Sequence, residues 1–202
     1  HGVLGAAEYP SACRRKLLNL KNAGFNAIRS AHNPPSTVML ELCDELGILI
    51  MDEFFDCWQR IKGGSSNYHL FFNDHWERDI EATVLRDRNH PSIFCWSIGN
   101  EVDYPNDPYS HPVLDGTTIN QPMFGGYKPD APDAMRIGEI AKRLTARIKE
   151  VDTSRPVTGA LAGVVMSNQT AYPGAVDVVG YNYTENRYDE DHKTYPNRII
   201  YG

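Results

Sequence analysis

The sequence of 202 residues has few cysteines, no excess of positive charge and no long apolar run. Its four cysteines form no CxxC pair, which argues against a disulfide framework and leans towards a non-oxidising compartment without fixing one. The net charge of −6 argues against nucleic-acid binding, because such surfaces need concentrated Lys and Arg. No segment is long enough to cross a membrane, and the first residues lack a basic signal-peptide start. These absences favour a soluble globular protein.

Several common catalytic motifs are also missing. There is no GxGxxG turn after a first strand, no phosphate loop and no GxSxG nucleophile elbow. HxH and HExxH pairs are absent, and the acidic segment EVDYPNDPYSH does not have the spacing of an EF-hand. No metal site is therefore predicted. A metal-dependent hydrolase stays an alternative only because His1 and His32 could share one site.

Apolar periodicity alternates between helical and extended patterns along the chain. Helical spacing predicts helices over 11–24, 36–47, 72–88 and 133–151. Short apolar runs predict strands at FNAIRSAH, ILIMDEF, SIFCWSIG, PVTGALA, VDVVGYNY and RIIYG. Strands separated by helices imply parallel pairing with right-handed crossovers, which fits an open doubly wound sheet or a closed barrel. The missing GxGxxG turn favours the barrel.

Two segments are predicted to be loops. Residues 56–70 contain KGGSS and are predicted to lie on the surface. Residues 102–130 are rich in Pro, Gly, Asp and Tyr and show no period. A loop of that length is usually functional or disordered.

Polar residues follow the predicted strands at their carboxyl ends. These residues are Arg29 and His32, then Asp52, Glu53 and Asp56, then Asn100 and Glu101, then Asn182 and Tyr183. In a (β/α)8 barrel such ends converge on one mouth, where active sites are built. The alternative is that helix capping and loop solubility explain each residue separately.

Asn100 and Glu101 are the most informative pair among them. Glu is a poor turn residue, so its position at a strand end calls for a chemical reason. Glycoside hydrolysis provides one, because a carboxylic acid must protonate the leaving oxygen while an amide can bind the sugar 2-hydroxyl. The pair therefore predicts a glycosidase site.

Four segments closely resemble the catalytic barrel of family 2 glycoside hydrolases, which include β-galactosidases, β-glucuronidases and β-mannosidases. They are NAIRSAHNPPS, LCDELGILIMDEFFDCW, RDRNHPSIFCWSIGNE and VDVVGYNY. The likeness extends over residues 1–202 and implies an α/β fold, the (β/α)8 TIM barrel. It also implies that residues 1–202 are a single domain and a partial barrel, with about six strands and the start of a seventh. β-Sandwich domains and the remaining barrel strands of a larger enzyme are the implied partners.

The resemblance implies a retaining mechanism, with an acid/base Glu after the family's fourth strand and a nucleophile Glu after its seventh. Carried over by position, Glu101 is the acid/base and Asn100 contacts the 2-hydroxyl. Arg29 resembles an arginine that orients the nucleophile and holds it ionised. Tyr183 resembles a tyrosine that hydrogen-bonds the nucleophile.

The remaining substrate-binding residues follow from the same resemblance. His32 and His1 resemble histidines that contact the sugar. Asp56 and Trp58 lie in FDCW, a motif shared with a subset that is often β-galactosidase, and are predicted near the sugar. A carbohydrate is thus the expected substrate, with no nucleic acid and no membrane as partner.

The sequence departs from the family pattern at two places. RIIYG would open the family's seventh strand, so the nucleophile is expected beyond residue 202, and Glu185 and Glu190 are poor replacements because they follow the sixth strand. Magnesium-dependent members carry a Glu and a His shortly after the DE of their third strand, where this sequence has FFDCW. No cofactor is therefore predicted.

The predicted activity is that of an exo-acting β-glycosidase. A β-galactosidase is favoured, since the sequence has no obvious basic cluster for a sugar carboxylate. A β-glucuronidase, a β-mannosidase and a non-catalytic carbohydrate-binding barrel are the alternatives. The 202-residue chain alone is expected to be inactive.

Overall fold

Six parallel strands form one sheet in the computed structural model, which describes residues 7–62, 64–103, 109–115 and 126–202. They are β1 (Ala27–Arg29), β2 (Leu49–Glu53), β3 (Ile93–Asn100), β4 (Val157–Leu161), β5 (Val178–Tyr181) and β6 (Ile200–Tyr201). Each strand pairs with the next one along the chain. That order is the order of a (β/α)8 barrel and lacks the reversal of a doubly wound sheet. The prediction of a partial barrel is confirmed.

Helices connect the strands. The longer ones are α1 (Pro10–Asn22), α2 (Thr37–Leu46), α3 (Phe72–Asp87) and α4 (Met135–Val151). All four were predicted from apolar spacing. The shorter ones are α5 (Val164–Ser167), α6 (Tyr172–Ala175) and α7 (Tyr188–Thr194). Sequence periodicity does not reveal these, because four to seven residues make too few turns for a repeat.

Helix α2 illustrates how local residues determine an element. The Ser36 hydroxyl accepts a hydrogen bond from the Met39 amide at 3.0 Å, which satisfies a free N–H of the first turn. Gly47 ends the helix with φ of 66°, a conformation that costs glycine little. Both predicted ends are confirmed.

The core lies between the helices and the outer face of the sheet. Leu17, Leu40, Ile80 and Leu144, one from each longer helix, have no exposed surface. Burying a side chain of this size stabilises the fold by about 1.5–3 kcal/mol. The sheet is therefore fixed by its helices, and the strand ends are held in place for the site.

The segment 56–70 is only partly a surface loop, which corrects the prediction. Cys57 and Trp58 are buried, and Tyr68–Leu70 forms a short 3-10 helix. The Trp58 indole packs on Gly99, where a Cβ would lie 2.8 Å from Nε1. Its N–H also donates to the Ile98 carbonyl at 2.8 Å. This packing attaches the start of the loop to β3, close to Asn100.

Most of the second predicted loop, 102–130, lies outside the described residues. In its described part, Tyr109 is buried and Pro112–Leu114 forms a 3-10 turn. The four cysteines are buried and unpaired. Among the residues placed by the structure, no helix is long and apolar enough to cross a membrane.

Candidate active site

A buried carboxylate, Glu53, stands at the carboxyl end of β2 and has no exposed surface. Its Oε2 accepts hydrogen bonds from Arg29 Nε at 2.8 Å and Ser97 Oγ at 2.7 Å. Its Oε1 lies 2.6 Å from His32 Nδ1, and Arg29 Nη2 forms an ion pair with Oε2 at 2.6 Å. A buried carboxylate needs such partners, because an unpaired buried charge costs several kcal/mol. Glu53 therefore anchors Arg29 and His32.

Sequence reasoning placed Glu53 among the strand-end residues but assigned it no role. A usable signal was present, since a Glu that ends a buried strand requires a cation on a neighbouring strand. Arg29 ends β1, which pairs with β2.

The Asn100 side chain is held in one orientation at the end of β3. Its Oδ1 accepts from Arg29 Nη2 at 2.9 Å, and its Nδ2 donates to Asp56 Oδ1 at 2.9 Å. Only 4% of the residue is exposed. Arg29 thus links Glu53 to Asn100, and Asp56 continues the same network.

Asp56 also forms an ion pair with Lys62, whose Nζ lies 2.7 Å from Asp56 Oδ1. Partial burial acts to raise the pKa of Asp56, but hydrogen bonds from Lys62 and Asn100 outweigh it and lower the pKa below its ordinary value. Lys62 was not predicted as a site residue, because it lies in the segment interpreted as a surface loop. A lysine followed by two glycines gives no sequence signal of its own.

Glu101 follows Asn100 with φ of 49°, in the left-handed region that non-glycine residues avoid. Its amide donates to the Ala160 carbonyl at 2.7 Å. Its Oε1 accepts from Asn182 Nδ2 at 2.8 Å, and the Asn182 amide donates to Leu161 O at 2.7 Å. The carboxyl is half-buried. It can exchange a proton with a group bound at this edge of the sheet.

Asp103 fixes the chain two residues further on and is completely buried. Its carboxylate accepts hydrogen bonds from the amides of Ala162 and Gly163, both at 3.0 Å, and from Ser167 Oγ at 2.6 Å. The connection after β3 is therefore tied to the connection after β4. Glu101 lies between the end of β3 and this tie.

The family model described as Glycosyl hydrolases family 2, TIM barrel domain, matches residues 10–195. The chain is a member of glycosyl hydrolase family 2. The resemblance predicted from its motifs is confirmed.

Relatives of this family 2 domain are much longer than the chain. Beta-galactosidase BoGH2A of Bacteroides ovatus is 38% identical over 189 residues, which cover 90% of this chain and 22% of that protein. Beta-glucuronidase of Homo sapiens is 31% identical over 169 residues, covering 81% and 20%. A solved structure of a family 2 member from Bacteroides cellulosilyticus has a TM-score of 0.78 at 38% identity, covering 100% and 22%. The chain spans about a fifth of the length of these proteins.

Two other residues inferred from the family occupy contrasting positions. Tyr183 has φ of 57° and is 80% exposed, beside Arg29 and Asn182 in an open pocket at the strand ends. Trp58 is only 2% exposed. Its ring packs on Gly99 and against Tyr172, and its predicted place near the sugar stays a prediction. His1 lies outside the described residues.

The magnesium site of some family 2 members does not fit this chain. Phe54, Phe55 and Asp56 follow Glu53, and Asp56 is occupied by Lys62 and Asn100. Within the ranges that the structure describes, no group of three or more His, Cys, Asp or Glu is arranged to hold a metal ion. No metal is assigned to the site.

Proposed function

We propose that this family 2 domain belongs to a β-glycosidase that hydrolyses terminal β-glycosidic bonds, with Glu101 as general acid and base. The observation that carries the proposal is the position of the Glu101 carboxyl, held by Asn182 at the strand ends beside the Arg29–Asn100 network. Relatives named as β-galactosidases and β-glucuronidases support the reaction class.

The proposed reaction has two steps and retains the anomeric configuration. In the first, a carboxylate nucleophile attacks the anomeric carbon while the Glu101 carboxyl gives its proton to the leaving oxygen. In the second, Glu101 takes a proton from a water molecule, which attacks the glycosyl-enzyme and releases the sugar. Asn100 is proposed to bind the 2-hydroxyl, with His32, Asp56 and Tyr183 near the sugar.

The nucleophile is proposed to come from a longer polypeptide that contains this domain. The chain covers about a fifth of the length of its relatives. Among the described strands, β1 and β6 are the two edges of the sheet, and each has one side without a partner strand. Glu53 is a poor nucleophile candidate, because both of its oxygens are bonded to Arg29, Ser97 or His32. Arg29 and Tyr183 are proposed to act on the nucleophile.

A neutral galactoside is the favoured substrate. The cations close to the described site, Arg29 and Lys62, are bonded to Glu53, Asn100 and Asp56. A uronic acid needs a cation that can bind its carboxylate. β-Glucuronidase is the second candidate, supported by the Homo sapiens relative.

The test is hydrolysis of a panel of aryl β-glycosides by the full-length polypeptide that contains this domain. We expect one glycoside to be cleaved, with Glu101→Gln lowering kcat/KM by about 100-fold or more for an unactivated leaving group. Glu139→Gln, which replaces an exposed carboxylate on α4, is the matched control and should keep the wild-type rate. If the Glu101 variant retains full activity on a glycoside with an unactivated leaving group, Glu101 is not the acid and the proposal fails. If wild type cleaves no glycoside, a carbohydrate-binding barrel without hydrolysis becomes the better interpretation.

A further inference from the structure

Lys62 lies in the segment after β2, and its ammonium group forms three hydrogen bonds at the site. Nζ lies 2.6 Å from the Asn100 carbonyl, 2.7 Å from Asp56 Oδ1 and 3.1 Å from the Asp56 carbonyl. The side chain is only 18% exposed. A lysine ammonium has three N–H donors, and these three acceptors match them. Lys62 is therefore built to hold the protein rather than to bind a ligand.

The Asn100–Glu101 peptide is bonded at both of its polar atoms. Its carbonyl accepts from Lys62, and its N–H donates to Ala160 O at 2.7 Å. Glu101 follows in the left-handed region, which a non-glycine residue adopts only at a cost in backbone energy. Rotation of this peptide towards a relaxed conformation would swing the Glu101 side chain away. Lys62 opposes that rotation from one side and Ala160 from the other.

Lys62 also controls the partner of the Asn100 amide. Asp56 Oδ1 accepts from both Lys62 Nζ and Asn100 Nδ2. Without the ammonium, Asp56 would lose its cation and turn towards water, since its side chain is 45% exposed. The Asn100 amide would then be held by Arg29 alone.

We propose that Lys62 is a positioning residue for the acid/base step: it fixes the Asn100–Glu101 peptide and, through Asp56, the Asn100 amide. This proposal rests on the proposed function. It adds a residue that touches neither the sugar nor the reacting atoms. Its effect should therefore be seen only when proton donation by Glu101 matters.

The test compares two leaving groups in the full-length polypeptide. The methanol leaving group of a methyl β-glycoside must be protonated as it departs. The 2,4-dinitrophenolate of a 2,4-dinitrophenyl β-glycoside departs without a proton. For Lys62→Met we expect kcat/KM to fall about 10- to 100-fold with the methyl glycoside and less than about 3-fold with the dinitrophenyl glycoside. Glu101→Gln should show the same selectivity, with a larger loss. A general structural defect would lower both values equally.

Two further variants keep the result interpretable. Lys142→Met removes a surface ammonium that pairs with Glu139 on α4, and should leave both values unchanged. Lys62→Cys treated with 2-bromoethylamine regains an ammonium on a side chain of nearly equal length, and should recover most of the methyl glycoside rate. Wild type is treated in the same way as a control. Its own four cysteines are buried, so we expect the treatment to leave its rate unchanged.

Several outcomes overturn the proposal. Equal losses on both substrates, or no loss for Lys62→Met, contradict it while leaving the proposed function intact, provided that Glu101→Gln remains selective. Failure of the alkylated Lys62→Cys variant to recover also contradicts it. If wild type cleaves no β-glycoside, the proposed function fails and the Lys62 proposal fails with it.

Discussion

At the scale of single residues, Asp52 and Asp87 are two completely buried carboxyl groups that lie beside each other. Asp87 is ion-paired with Arg86, which donates to both of its oxygens at 2.5 and 2.6 Å. Asp52 receives no hydrogen bond from the residues that the structure describes. Burial, and next the negative charge of Asp87, raise the pKa of Asp52 well above its ordinary value. Asp52 is thus easier to protonate than an ordinary aspartate.

This arrangement makes stability depend on pH. The pKa of Asp52 is 3.8 in the unfolded state and higher in the folded state. Between these two values the folded state binds more protons than the unfolded state, so stability falls as pH rises from 3.8 to the folded-state pKa. We expect Asp52→Asn to remove this loss, so that the variant gains melting temperature over wild type as pH rises from 3.8 upwards. Thermal unfolding measured from acid to neutral pH checks this.

The control for Asp52→Asn is Asp115→Asn, which removes a carboxylate from an exposed position. Its difference from wild type should change little over the same range. A difference between Asp52→Asn and wild type that is the same at every pH would contradict the assignment.

At the scale of elements, the connections after β3 and β4 are joined by Asp103. Replacing it with Ala leaves the amides of Ala162 and Gly163 and the Ser167 hydroxyl without their buried acceptor. We expect Asp103→Ala to lower the free energy of unfolding by about 3 kcal/mol. Ser167→Ala removes one donor and should cost only about 1 kcal/mol.

Urea unfolding of the two variants gives the comparison. The rate of hydrolysis by Asp103→Ala should also fall, because Asp103 helps to hold Glu101 in place. Equal costs for Asp103→Ala and Ser167→Ala would show that the two amides do not depend on the carboxylate.

The segment RDRNHPS, part of the family resemblance, lies at the other end of β3 from Glu101. His90 Nδ1 lies 2.6 Å from Asp44 Oδ2, and the Ser92 amide donates to Asp44 Oδ1 at 2.9 Å. Arg155 donates to the Ile93 carbonyl at 2.7 Å. These contacts attach α2 and the start of β4 to the start of β3. The motif thus has a structural role in its first half, whereas Ser97, Asn100 and Glu101 of its second half lie at the site.

At the scale of the whole molecule, the described sheet has two edges, one at β1 and one at β6. A closed barrel has none, and unpaired edges expose backbone groups and core side chains. We expect the 202-residue chain alone to show no Glu101-dependent hydrolysis, because the proposed nucleophile belongs to a longer polypeptide. Activity of the purified chain and of the full-length polypeptide, assayed on the same glycoside, tests this. Hydrolysis by the chain alone that Glu101→Gln abolishes would contradict it.

The sequence by itself determined the strands, the four longer helices and their order. Helix α2 begins at Ser36 and ends at Gly47 because capping and left-handed turns are local interactions between residues a few positions apart. Parallel pairing followed from the alternation of strands and helices. That pairing predicted that strand-end residues such as Arg29, Asn100 and Glu101 would gather at one edge.

Only the tertiary structure decided which of these residues touch. Arg29 bonds to Glu53 and Asn100, residues 24 and 71 positions away, and Lys62 reaches Asn100 across 38 positions. It also buried the Trp58 ring against Gly99. Such contacts depend on how three neighbouring strands and one loop pack together, and no local spacing encodes them. The chemistry at the strand ends was readable from residue types, whereas its support had to be seen in three dimensions.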